Sequence, residues 1–130
     1  MLPDRHRLHS SVDFTRTVKH GRRAGRRDVV IHAFGRDDAS TVESPSGARF
    51  GLVISKAVGP AVTRHRVARR LRHICSRSLP AISPCTDVVL RALPGAADAS
   101  SAELERQVMS CLRKLGATVG RTDTGVEDAS

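Results

Sequence analysis

Residues 49–74 read RFGLVISKAVGPAVTRHRVARRLRHI. The first seven, RFGLVIS, are rich in apolar and β-branched side chains and read as a strand, with Gly51 marking a close approach or a bulge. Gly59-Pro60 then interrupts the chain, and the rest continues as a helix to Ser78 or Leu79, ended by Pro80 and Pro84. At about 100° per residue, Val67, Leu71, Ile74 and Cys75 fall on one side of that helix. Arg66, Arg69, Arg70, His73 and Arg77 fall opposite. Arg64 projects nearer the apolar side, but in the first turn, where its side chain can reach past the helix end. The free N–H groups of that turn also favour a phosphate.

Outward from this stretch the remaining elements follow. Residues 10–21, SSVDFTRTVKHG, read as a first helix, with Ser10 and Asp13 in capping-box spacing, Phe14 and Val18 on one face, and Gly21 after the last turn. RRAGRRD follows as a basic loop carrying Arg22, Arg23, Arg26 and Arg27. VVIHAF, 29–34, reads as a strand, and the polar run 35–48 as a loop. TDVVLRAL, 86–93, is a third strand, closed by a Pro94-Gly95 turn. Residues 100–115 form the last helix, with Ser100 and Glu103 as a capping box, a stripe of Leu104, Val108, Cys111 or Leu112, and Leu115, then Gly116 at its end. The polar residues 118–130 are expected to be a disordered tail. The order α-β-β-α-β-α describes one α+β domain, residues 1–117, in which amphipathic helices cover a small sheet.

Charge narrows the partners. Net charge is +9 over 130 residues, which attracts polyanions: nucleic acid, an anionic membrane or an acidic protein. Six of the nineteen residues 56–74 are Lys or Arg and none is acidic. From Ser44 to Thr86 eight basic residues stand without one Asp or Glu, and residues 1–27 hold eight more. A solvated helix face ordinarily mixes both signs to limit self-repulsion. This one does not, and arginine, whose planar fork suits phosphate, outnumbers lysine. Nucleic acid is the partner these blocks favour.

Several chemistries lack support. No apolar run approaches the roughly 20 residues of a membrane span, and the N-terminus has no apolar core of a signal peptide, so a cytoplasmic protein is expected. Cys75, Cys85 and Cys111 are odd in number and widely spaced, which favours reduced thiols over a metal site or disulfides. Asp28, Asp37, Asp38 and Asp87 show no paired-carboxylate pattern for a two-metal nuclease, and no Ser-His-Asp or Cys-His arrangement is legible. Read from spacing alone, Phe14 and Val18 are core residues and His32 is an ordinary strand histidine.

The pattern Lys56-x-Val58-Gly59-x-Ala61-Val62-x-Arg64-His65-Arg66-Val67-x-Arg69-x-Leu71-Arg72 resembles the signature of the bacterial ribonuclease P protein subunit, whose core is an Arg-Asn-Arg motif on a helix. Arg5-His6-Arg7-Leu8, Asp13-Phe14 and Lys19-His20-Gly21 resemble that family's N-terminal segment, and RFGLVISKAVG its strand and turn. The resemblance covers residues 5–115. It implies a mixed sheet with a left-handed βαβ crossover, against the general right-handed rule. It implies a protein that binds a large catalytic RNA and precursor tRNA. That RNA, holding most of the Mg²⁺, removes the 5′ leader, and the protein alone is inactive. Carried over by position, Lys56, Arg64, His65, Arg66, Arg69, Arg70 and Arg72 meet the catalytic RNA. Phe14, Val18 and His32 line a leader cleft between the first helix and the sheet. Metal ligands on the protein are not assigned.

The chain departs from that pattern in places. His65 replaces the central Asn, Pro60 an Asn after Gly59, and Ala68 a common Lys. Val18 and His32 stand where relatives often carry aromatics, which implies weaker stacking on the leader. His32 and His65 can compensate by stacking or hydrogen bonding. Two rivals remain: a basic RNA-binding protein of ribosomal or chaperone type, and a helix-turn-helix DNA binder. The second is disfavoured because the basic helix follows a strand and a Gly-Pro turn rather than a partner helix.

Overall fold

The structure, a computed structural model, describes residues 6–35, 47–83 and 85–117. Most of the expected 35–48 loop, Pro84 and the 118–130 tail lie outside them. Three helices are present, α1 (Ser11–His20), α2 (Ala61–Ser78) and α3 (Ser101–Lys114), with four strands, β1 (Arg22–Gly25), β2 (Val29–Gly35), β3 (Arg49–Ile54) and β4 (Thr86–Ala92). The sheet order is β1-β2-β4-β3. β1 and β2 pair antiparallel, as do β2 and β4, whereas β3 and β4 pair parallel. α2 therefore connects two adjacent parallel strands, where the resemblance places its crossover.

The expected order is present with one addition. The arginine-rich segment after α1 is not a loop at its start: Arg22–Gly25 is an edge strand, with Arg22 opposite Ala33 and Gly25 opposite Val30. Four residues with one apolar side chain carry no strand pattern of their own, and pairing with β2 makes the strand. Gly21 sits at the junction, extended at φ −83° and ψ 178° rather than left-handed. A Cβ there would lie 2.5 Å from the Thr17 carbonyl oxygen and 2.6 Å from that of Ala33, so the helix-to-strand corner closes only around a hydrogen atom.

The sheet has two unlike faces. Ala24, Val29, Ile31, Ala33, Val88, Leu90 and Ala92 point to the face covered by α2 and α3 and join one buried core. Val67, Leu71, Ile74 and Cys75 from α2 and Leu104, Val108, Cys111 and Leu112 from α3 complete it. Each large aliphatic side chain fully buried there contributes about 1.5–3 kcal/mol. The other face carries Arg23, His32, Val89 and Gly51 in one cross-strand row, and Phe34, Asp87 and Arg49 in the next. α1 covers only part of it and buries a single residue, Thr17, whose hydroxyl donates to the Asp13 carbonyl at 2.8 Å.

α1 is held on that face by charge. Arg49 grips Asp87, which has no solvent exposure, through two bonds of 2.8 and 2.9 Å. It also reaches Asp13 of α1 at 3.3 Å, and Arg16 of α1 bridges Asp13 at 2.9 Å and Asp87 at 3.5 Å. The Arg16 guanidinium stacks over the Phe34 ring, 4.9 Å from its centroid, the geometry of a cation–π contact. Ser10 caps α1 by accepting from the Val12 and Asp13 amides. Asp13, expected to reciprocate, is committed to the two arginines instead.

Candidate nucleic-acid interface

The turn before α2 is built by Gly59. Lys56–Val58 form one turn of 3₁₀-helix, and Gly59 follows with φ +150°, a conformation that L side chains rarely adopt. Pro60 then occupies the N-cap, where it supplies no side-chain acceptor. No acid lies in the first turn of α2. The helix begins with unsatisfied N–H groups and positive charge together, which is how a helix start attracts an anion.

Along α2 the predicted basic residues sort into two groups. His65, Arg66, Arg69 and His73 are exposed, as is Lys56 in the preceding turn. None of the five side chains has a hydrogen bond or ion pair to another described residue. Three of the others are tied down. Arg64 Nε donates to the Gly59 carbonyl at 3.0 Å, so it does reach past the helix end and braces the turn. Arg70 Nη1 donates to the Ala99 carbonyl at 2.9 Å, fixing α2 to the segment before α3. Arg77 pairs with Glu105 of α3. Arg72 is half-buried. Val62, 74% exposed, lies one turn before Arg66 on the same face and gives it an apolar spot.

The four arginines expected in a loop do not act together. Strand alternation sends Arg22 toward α3, where it donates to the Leu115 carbonyl. Arg26 donates to the Ser110 hydroxyl at 2.8 and 3.1 Å. Arg27 lies 3.4 Å from Asp28 and 3.7 Å from Glu103. Only Arg23 turns to the open face of the sheet, directly opposite His32.

On that open face Phe14 and His32 share one row of the sheet, through Gly51 and Val89. The Phe14 ring lies over Gly51, where a Cβ would come within 2.3 Å of it, so Gly51 does mark a close approach. Val18 is one turn further along α1 and 42% exposed. His32 stands in the same cross-strand row as Gly51, separated from it by Val89. Its pKa is lowered, first by burial and then by the positive charges of Arg23 and Arg91, so the imidazole is held neutral. Arg91 carries no role in the sequence reading. It sits two residues beyond Val89 on β4 and on the same face. The alternation of Asp87, Val89 and Arg91 against Val88, Leu90 and Ala92 is the signal that would have found it.

The thiols are structural in character. All three are free, and burial pushes the Cys75 and Cys111 thiols up, away from the reactive thiolate. Among the described residues no group of three or more His, Cys, Asp or Glu is placed to hold a metal ion, and no helix is long and apolar enough to cross a membrane.

Comparison with known proteins agrees with this geometry. A family model described as ribonuclease P matches residues 2–116. The ribonuclease P protein component of Rhodococcus opacus (strain B4) is 60% identical over 115 residues, covering 88% of this chain and 92% of that protein. That of Mycobacterium avium (strain 104) is 48% identical over 120 residues, covering 92% and 99%. Among solved structures, the ribonuclease P protein of Staphylococcus aureus superposes with a TM-score of 0.71 at 23% identity, covering 83% of this chain and 93% of that one. The protein from Thermotoga maritima gives 0.66 at 18%, covering 80% and 92%. At those identities the structures speak for the fold, while the closer sequences and the family model speak for descent. From its acid-free helix to its four-stranded sheet, this chain belongs to the ribonuclease P protein family.

Proposed function

We propose that the protein is the RNA-binding subunit of a ribonuclease P ribonucleoprotein. It meets the catalytic RNA through Lys56 and the exposed face of α2 and takes the 5′ leader of precursor tRNA in the cleft between α1 and the sheet. The observation that carries this reading is the acid-free face of His65, Arg66, Arg69 and His73, exposed and unpaired in a chain whose family match spans nearly all of it. Arg64 and Arg70 contribute by holding the turn and helix in place, and half-buried Arg72 lies within reach of the same RNA. The described residues do not assemble a metal site of their own. Mg²⁺ is assigned to the RNA subunit, which supplies the hydrolytic chemistry, as the resemblance to the family implies. The protein's residues bind, orient and neutralise phosphates.

Reconstitution tests this directly. Purified protein alone leaves precursor tRNA intact, and at low Mg²⁺ it enables a bacterial ribonuclease P RNA to remove the leader. RNA binding without stimulation of cleavage would instead indicate a basic protein of ribosomal or chaperone type.

A further inference from the structure

His32 combines two features that ordinarily exclude each other. It is a polar side chain only 7% exposed, and its Nδ1 is buried without a hydrogen-bond partner. A neutral imidazole carries one proton, on one nitrogen or the other. Placing it on Nδ1 would bury an N–H with nothing to accept it, which costs more than leaving a lone pair unmatched. The proton therefore belongs on Nε2, the nitrogen that is not sealed in. The imidazolium is disfavoured for the same reason, since it would need the Nδ1 proton as well. Position adds the ligand chemistry. Arg23 is directly opposite on β1, about 5 Å between Cβ atoms for such a pair, and Arg91 is diagonal on β4, at about 7–8 Å. Both arginines are exposed. From α1, uncharged Phe14 lies against this row at Gly51, and the cation Arg16 is engaged in the next row with Phe34 and Asp87. The acids on this face, Asp87 and Asp13, are both taken up by Arg49 and Arg16.

We infer that Arg23, His32 and Arg91 form a site for one backbone phosphate of the single-stranded leader, with His32 serving as a neutral hydrogen-bond donor through Nε2 rather than as a ring on which a base stacks. This rests on the proposal that the cleft holds the leader, and it changes what the cleft reads there. A stacking ring selects for an unpaired base, whereas a donor between two guanidiniums takes the sugar–phosphate chain and is indifferent to base identity.

The experiment compares leader-bearing precursor with leaderless tRNA for binding to the reconstituted holoenzyme. The ratio of the two affinities isolates the leader. His32→Phe keeps a ring and removes the donor. His32→Gln keeps an N–H near the Nε2 position and removes the ring. The expected result is a roughly tenfold loss of leader preference for His32→Phe, the size of one hydrogen bond to a charged group, and near wild-type preference for His32→Gln. Arg23→Ala and Arg91→Ala each flatten the salt dependence of leader binding by up to about 0.7 in log–log slope, one phosphate on a single strand. A leader with abasic sugars opposite the cleft binds as the intact one does. Wild-type preference stays level from pH 8 to about 6.5, since the neutral form is the working one. His32→Phe binding the leader as well as wild type, or the abasic leader losing its preference, overturns the phosphate reading in favour of stacking. A preference that climbs steeply as pH falls through the histidine range overturns the neutral donor. A wild-type holoenzyme with no leader preference at all strikes instead at the cleft proposal. Catalytic-RNA binding by each variant confirms that it has folded.

Discussion

At the scale of single residues, the distinction that matters is between charges that are used up by the fold and charges that are not. Arg66 and Arg70 are four positions apart on one helix, yet one is exposed and unpaired while the other holds Ala99. Arg66→Ala should flatten the salt dependence of catalytic-RNA binding by about 0.7–0.9 and leave thermal stability unchanged. Arg70→Ala should lower the melting temperature as well, because it removes an internal bond worth about 1 kcal/mol. Parallel salt titrations and melts separate the two. His32 adds a pH term. Its pKa is lowered in the folded protein by burial, Arg23 and Arg91, so the unfolded chain binds a proton that the native state resists. The stability that neutral His32 contributes is whole above the ordinary histidine value of about 6.5 and is lost as pH falls below it. A melt series from pH 8 to 5 should show a decline that His32→Gln flattens. The sequence could not assign Arg91 or single out Arg23. Their meaning lies in which strand neighbours face them, and that is fixed by register, not by the residues alone.

At the scale of elements, legibility followed local consistency. α2 and α3 were readable because apolar period, caps and breakers agree within each segment. α3 carries both halves of its capping box, Ser100 accepting from the Glu103 amide at 3.1 Å and the Glu103 carboxylate accepting from the Ser100 amide at 3.2 Å. Gly116 follows at φ +69°, as its place after the helix suggested. Ser100→Ala should cost about 1 kcal/mol, and Leu71→Ala, from the fully buried stripe of α2, about 2–5 kcal/mol. Chemical denaturation of both variants tests whether cap and core rank in that order. β1 and the end of α1 were not readable for the converse reason. RRAG has no strand signature until β2 lies beside it, and Gly21 turns into that strand directly, leaving no room for the left-handed residue that a free helix end would adopt. Asp13 stands at capping spacing, but Arg49 from β3 and Arg16, one turn along α1, hold its carboxylate in place of the local amide.

At the scale of the whole molecule, the two faces of the sheet divide the labour. One face is sealed by α2 and α3 and supplies the cohesion. The other is left partly open under α1, which is attached through the ion pairs of Arg49, Asp87, Asp13 and Arg16 rather than through a second apolar core. The same division explains why the α2 surface was legible in the sequence and the proposed cleft rests on resemblance: a helix face is written in one segment, whereas the proposed cleft draws on α1, β1, β2 and β4. The acid-free surface of α2 also bears on the free protein. Like charges at Arg66 and Arg69, beside Lys56 and Arg72, repel one another with no acid on the helix to offset them. Added salt should therefore raise the melting temperature of the isolated protein, and Arg66→Gln should reduce that gain; a salt-independent melt would remove repulsion as a term. A bound polyanion relieves the same repulsion and adds its own binding energy to the native state by mass action. On the proposed function the chain is thus at its least durable before assembly: a copy without RNA should unfold more readily than a copy in a particle, and the surface proposed to recruit the partner also penalises its absence.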